Sequence, residues 1–211
     1  MPIIGIIASS VSKVAKFWSY PTRPSNLYVT ASRYFAIGSS ALATVAGGRA
    51  SNGTDYDQFV VSYDKRGNIN FQFLLNQGVG GTDTLTGIAI DSSNNVYVGS
   101  TGPSVAEIFS KFDSTGTQQW AKSTSYSMSP QNLKIDSSGN IYIVGLFTIS
   151  TTKYQFLMKL SATPTVTWLA AQNYGTNAGR GDAFTGLAID SASNVYASGY
   201  ETLNDGSYAY A

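Results

Sequence analysis

The residues equipped for chemistry in this chain are twelve acids, thirteen Lys plus Arg and fourteen Tyr. There is no His, so the commonest general base and the commonest metal ligand are both absent. There is no Cys, which excludes thiolate nucleophiles, disulfides and Cys-ligated zinc. Chemistry would fall to carboxylates, Lys or Tyr. Among the acids, "DSSNN" from Asp91 and "DSSGN" from Asp136 gather hard oxygen donors as a calcium loop does. Such a loop wants oxygen ligands at its first, third and fifth positions, Gly at the sixth and Glu at the twelfth. Counted from each Asp, the third position is Ser93, Ser138 or Ala192, and the sixth is Val96, Ile141 or Val195. Glu201 stands at the twelfth place in the last copy, but Gly102 and Phe147 hold it in the others. Asp-Ser-Ser is turn chemistry, in which a short carboxylate bonds nearby backbone N–H groups. No metal or other cofactor is expected.

Paired carboxylates could cleave glycosidic bonds without His. Most of the acids, however, sit at recurring positions: Asp64, Asp91, Asp113, Asp136 and Asp190 in turns, with Asp83 and Asp182 eight residues ahead of two of them. Asp55, Asp57, Glu107, Glu201 and Asp205 lie outside the pattern, with nothing to pair them. "FDSTGTQQW" from Phe112 has the wrong spacing for the Asp-box of sialidases, which is itself a structural turn. Arg180-Gly181-Asp182 spells an adhesion tripeptide, but Asp182 precedes Asp190 as Asp83 precedes Asp91, so the repeat explains it. No catalytic set emerges, and the chain is not expected to be an enzyme.

What must position these residues is a repeated element. "LKIDSSGNIYIVG" from Leu133 recurs as "IAIDSSNNVYVGS" from Ile88, "LAIDSASNVYASG" from Leu187 and, worn down, "FAIGSSALATVAG" from Phe35. Gly38, Asp91, Asp136 and Asp190 share one column, at spacings of 53, 45 and 54 residues by subtraction. A second phrase alternates with the first and ends at Phe71, Trp120 and Trp168. Each unit of about fifty residues thus holds two apolar–turn–apolar phrases, read as two hairpins and four strands. Val96 and Val98 would face one side and Tyr97 the other, so these strands are apolar on both faces, as in a sheet covered twice. Tyr97, Tyr142 and Tyr196 share a column and read as core or sheet-interface residues, whereas Tyr200, Tyr208 and Tyr210 are open between core and a ligand-facing surface.

Composition agrees with a packed, weakly charged domain. Hydrophobic residues make up 43% of the chain and charged residues 12%, about half of the roughly 25% usual in globular proteins. The formal net charge is +1, too small a field to gather nucleic acid or an anionic membrane. The apolar run Pro2 to Ala8 is too short to span a bilayer, and Lys13 and Lys16 follow it, the reverse of a secretory signal.

The pattern "GTDTLTGIAIDSSNNVYVGS" followed by "FSKFDSTGTQQW" resembles the bacterial β-propeller repeats of the SBBP type, similar in style to NHL repeats. The resemblance implies an all-β fold of β-propeller-like four-stranded repeats over residues 31–211, and it is nearly silent on function. The last unit reaches Ala211 short of its second turn and its Trp. About three and a half blades are therefore expected, incomplete at the C-terminus, with the polypeptide continuing or neighbouring copies completing it. Residues 1–30 do not fit the repeat and read as an attachment arm. Their opening, "PIIGIIASS", resembles the start of tail, baseplate and fibre proteins of tailed bacteriophages.

That resemblance implies a structural component of a virion, an extracellular particle. The arm would dock on other virion proteins, in multiple copies, by burying Ile3, Ile4, Ile6, Ile7, Val11, Val14, Phe17 and Trp18. The repeats would serve as scaffold or meet a host-surface glycan or protein. The alternative is a bacterial cell-surface or secreted propeller that binds ligands. No nucleic acid partner and no membrane span are expected.

Overall fold

In a computed structural model of the protein, residues 28–37, 44–51, 56–64, 68–75, 83–101, 108–123, 127–149, 152–172, 183–202 and 208–210 are described. Residues 1–27, where most of the attachment arm is expected, lie outside them, as do Arg180, Gly181 and Asp182. The described residues are all β, with no helix and so none long and apolar enough to cross a membrane.

Among the described residues, fifteen strands follow one another as antiparallel meanders. The first sheet runs β1 (Tyr28–Ile37), β2 (Thr44–Ser51), β3 (Tyr56–Tyr63) and β4 (Ile69–Leu75). β5 (Thr84–Ile90), β6 (Val96–Thr101), β7 (Ile108–Phe112) and β8 (Gln118–Ser123) form the second. The third comprises β9 (Ser127–Ile135), β10 (Ile141–Ile149), β11 (Thr152–Leu160) and β12 (Val166–Gln172). The fourth has three strands, β13 (Ala183–Ile189), β14 (Val195–Thr202) and β15 (Tyr208–Tyr210). In chain order each neighbour is its predecessor's hairpin partner, the connection that short turns allow.

The two phrases of the repeat fall on two kinds of hairpin. The Asp-Ser-Ser phrase joins the first strand of a sheet to the second, with Ile90 opposite Val96, Ile135 next to Ile141 and Ile189 opposite Val195. The second phrase joins the third strand to the fourth, as in Lys111 opposite Trp120 and Lys159 opposite Trp168. The fold therefore contains the four-stranded units read from the sequence.

Period-two alternation divides each strand between two cores. Val96 and Val98 pack towards the first sheet with Val60, Leu85 and Phe112. Tyr97, from the same strand, points the other way into a core with Leu133, Ile143, Phe156 and Met158 of the third sheet. Tyr142 and Val144 in turn meet Leu187 of the fourth, with Val195 and Ala197 beside them. Ile143, Val144 and Phe156 are each wholly inaccessible, a burial worth roughly 1.5–3 kcal/mol per side chain before ordering costs. Phe73 and Phe112 stack at 4.3 Å across the first interface.

Successive sheets thus lie face to face, as blades do. β5 packs on β1, β2 and β3; β9 packs on β5 and β6; β13 packs on β9, β10 and β11. The first and fourth sheets do not pack on one another as successive sheets do. One consequence corrects the reading of Tyr196. Tyr97 and Tyr142 are 2% and 3% exposed, but Tyr196 is 58% exposed. Its face is the one that a following sheet covers in the two preceding units, and no described sheet follows it.

Candidate functional site

The carboxylates that could do chemistry are held by the turns that carry them. In "DSSNN" the Asp91 side chain accepts the backbone N–H groups of Ser93 and Asn95 on Oδ1, both at 2.9 Å. Its Oδ2 accepts the Asn95 amide at 2.8 Å and the Tyr97 hydroxyl at 3.1 Å. Asp136 repeats the set with Ser138, Asn140 and Tyr142, and Asp190 with Ala192, Asn194 and Tyr196. Asp113, in the second phrase, binds the N–H groups of Thr115 and Thr117, the Thr115 hydroxyl and the Gln119 amide. Asp64 bonds the backbone and side chain of Asn68.

Electrostatics follow from this bonding. The Thr115 hydroxyl and then the Thr117 N–H hold Asp113 below the ordinary carboxylate value. The Asn194 side chain and backbone do the same for Asp190. Burial works to raise Asp136, but the Asn140 side chain and the N–H groups of Asn140 and Ser138 outweigh it, and its pKa is also lowered. Tyr97 moves the other way: burial, then the neighbouring Asp91 charge, push its phenol far up. An anion with both oxygens occupied by its own turn is a fastener, poorly placed to bind a metal or relay a proton.

A second arrangement lies beside each of two turns. The Lys111 ammonium sits over the Tyr97 ring at 5.1 Å from its centre, and Trp120 meets that ring edge-on at 6.1 Å. Lys159 and Trp168 do the same around Tyr142, at 5.2 Å and 6.3 Å. The row arises because Tyr, Lys and Trp are direct cross-strand neighbours in both sheets. In the first sheet the matching row is Val45, Ser62 and Phe71, with no charge or hydroxyphenyl group. Sequence reasoning missed these rows, since a lone Lys in a strand reads as a solvent-facing position. The signal was there in Lys111 and Lys159, each a fixed distance before the Trp of its phrase.

Other candidates are scattered. Asp83 is buried just ahead of β5, while Asp182, Asp55, Glu107 and Asp205 lie outside the described residues. Asp57 and Glu201 are strand residues, in β3 and β14. Among the described residues no three His, Cys, Asp or Glu side chains come together as a metal site would require. Tyr200 is half-buried at the end of the third and fourth sheets, where its carbonyl accepts the Gln155 amide at 3.2 Å. Gln58 holds the matching place in β3, fully buried, with neither amide atom bonded. Asn132 ties β9 to β13 by donating to the Thr185 carbonyl at 3.1 Å.

No family model matches this chain, and no curated protein matches it. Among solved structures, a Bacteroides caccae protein of unknown function superposes with a TM-score of 0.53 at 9% identity, covering 92% of this chain and 64% of that one. A subtype N10 neuraminidase-like protein of A/little yellow-shouldered bat/Guatemala superposes with a TM-score of 0.48 at 11% identity, covering 88% of this chain and 62% of that one. The chain thus spans less than two thirds of the structures it resembles, and at such identities the likeness is one of fold.

Proposed function

We propose that this chain is a non-enzymatic β-propeller module and a structural component of a bacteriophage virion, tail-associated or part of a fibre. The observation that supports the scaffold reading is the bonding of the repeated aspartates. In each described turn that carries an Asp, the carboxylate fastens its own hairpin, so the recurring phrase builds a platform instead of a reactive centre. The virion setting rests on the resemblance of "PIIGIIASS" to phage structural proteins. On this reading residues 1–30 dock on the particle, and the sheets project as scaffold or as the surface that meets the host.

The test is gold-labelled antibody against residues 83–176, applied to the source material. Label on phage tails or fibres is expected. Label confined to bacterial surfaces would overturn the virion reading in favour of a cell-surface or secreted binding propeller. A double variant, Ile6→Asp with Ile7→Asp, is expected to leave particles while keeping the strand signal of the wild type. A double variant that stays bound would remove the arm from the docking model.

A further inference from the structure

The stack of sheets has two terminal faces, and they differ. On the fourth sheet the outer face is bare: Tyr196 is 58% exposed, and Ala188 and Ser198 beside it are exposed as well. On the first sheet Val60 turns towards the second sheet, so Phe59 and Val61 point the other way. No described strand packs on that face as β5 packs on the Val60 side. Val61 is nevertheless only 6% exposed, and Phe59 is half-buried. Val61 stands two residues before the end of β3, as Ser110 does in β7 and Met158 in β11. Ser110 and Met158 are 3% and 4% exposed, and each lies on a face that the preceding sheet covers. Val61 is thus buried almost as deeply as counterparts that have a whole sheet over them.

What precedes β1 in the chain is residues 1–27, too few for another four-stranded unit of the repeat. Their sequence has a different period. Ile3, Ile4, Ile7, Val11, Val14 and Trp18 follow one another at spacings of one, three, four, three and four. At 3.6 residues per turn they fall in one stripe about 100° wide, the apolar face of an amphipathic helix. Ser9, Ser12, Lys13 and Lys16 fall on the opposite side. Pro2 suits the first turn of such a helix, and Pro21 would stop it. Residues 2–18 in helical form span about 25 Å, close to the length of the eight-residue β3. The segment enters the sheet at β1, two strands or about 10 Å from β3.

We infer that residues 2–18 form a helix whose apolar stripe lies on the first face of the first sheet, over Phe59 and Val61. The helix takes the place that a preceding sheet takes elsewhere in the stack, and a helix on a sheet face is a stable layer. Two Lys and a formal net charge of +1 give its polar side little hold on an anionic membrane. The inference concerns the free chain and stands apart from the virion reading. Where both hold, the stripe is sequestered before assembly, and docking on a particle draws the helix off the sheet.

The chain has no Cys, so a single introduced thiol reports on one face. Val61→Cys is made in the full chain with the native arm and with Ile7→Asp plus Val11→Asp, and labelling by a maleimide is timed. Slow labelling is expected with the native arm, rising about tenfold or more with the charged arm, as for a site opened by local release. Tyr196→Cys, on the bare face, is expected to label fast with either arm. The strand signal should be unchanged throughout; Phe59→Cys serves if Val61→Cys loses it, and Ile7→Asp alone serves if the double change does. Equal rates with both arms would overturn the inference, since the sheet's own side chains would then bury Val61. Protection that disappears on dilution would overturn it in favour of a second copy. Protection gained only on adding phosphatidylglycerol vesicles would overturn it in favour of a membrane surface. None of these outcomes depends on where antibody label falls, so the virion reading fails or stands separately.

Discussion

One carboxylate oxygen pair at Asp136 accepts four hydrogen bonds, and one donor is the hydroxyl of the buried Tyr142. Asp190 accepts the four equivalent bonds, from Ala192, Asn194 and Tyr196, but its Tyr196 hydroxyl belongs to an exposed side chain. Removing an acceptor strands a buried donor at about 1–3 kcal/mol, whereas an exposed donor turns to water. Asp136→Ala should therefore destabilise by about 1–3 kcal/mol and Asp190→Ala by clearly less, as chemical denaturation would measure. The same bonds set the acid response. The folded state holds Asp113, Asp136 and Asp190 below their ordinary values, so between folded and unfolded pKa the unfolded chain binds more protons. Their contribution is full above the unfolded Asp value of about 3.9 and is lost as pH falls through the folded values. Melting temperature should fall below about pH 4, and less steeply in an Asp136→Asn, Asp190→Asn double variant, followed by circular dichroism.

At the scale of hairpins, the third residue after Asp91, Asp113, Asp136 and Asp190 adopts a left-handed conformation: Asn94 at φ 63°, Gly116 at 87°, Gly139 at 80° and Ser193 at 64°. Gly and Asn tolerate this region, but Ser meets its Cβ clash there. Ser193→Gly should raise stability by roughly 0.5–1 kcal/mol, read from the denaturation midpoint. Two strand glycines give a sharper contrast. A Cβ on Gly145 would run into the Ser129 carbonyl oxygen and approach Pro130 Cα at 2.8 Å, both backbone of β9. On Gly186 it would meet the Ser198 hydroxyl, the movable end of a small side chain. Gly145→Ala should cost about 1–3 kcal/mol and Gly186→Ala much less. This scale was the most legible in the sequence, because an Asp-Ser-Ser turn between strand-length runs of Ile, Val and Tyr fixes both hairpin and face. The Tyr–Lys–Trp rows and the Gln155 clamp were not legible. The rows depend on the exact register of consecutive hairpin strands, which a bulge opposite Lys159–Leu160 shifts within a single pair, and the Gln155 clamp joins strands far apart in the chain.

For the molecule as a whole, stability comes from three successive interfaces, each made by one sheet's second face and the next sheet's first. The sequence repeats the residue types on those faces but says nothing of which face lacks a neighbour. Tyr196 therefore reads the same as Tyr142 in the alignment and differs from it in burial, 58% against 3% exposed. Both rings keep the same bond from hydroxyl to turn carboxylate, so comparing their removal isolates the covering sheet. Tyr142→Ala opens a cavity among Val144, Leu187 and their neighbours and should cost about 3–5 kcal/mol, the range for large aromatic core residues. Tyr196→Ala leaves no cavity and should cost under about 1 kcal/mol, as surface changes do. Denaturant titration of the two variants beside wild type measures the difference directly. Equal costs would mean that in solution a further sheet lies over the Tyr196 face, continuing the stacking that joins the first four. A large gap would mean that the arc of sheets ends at β13–β15, with the Tyr196 face open to solvent.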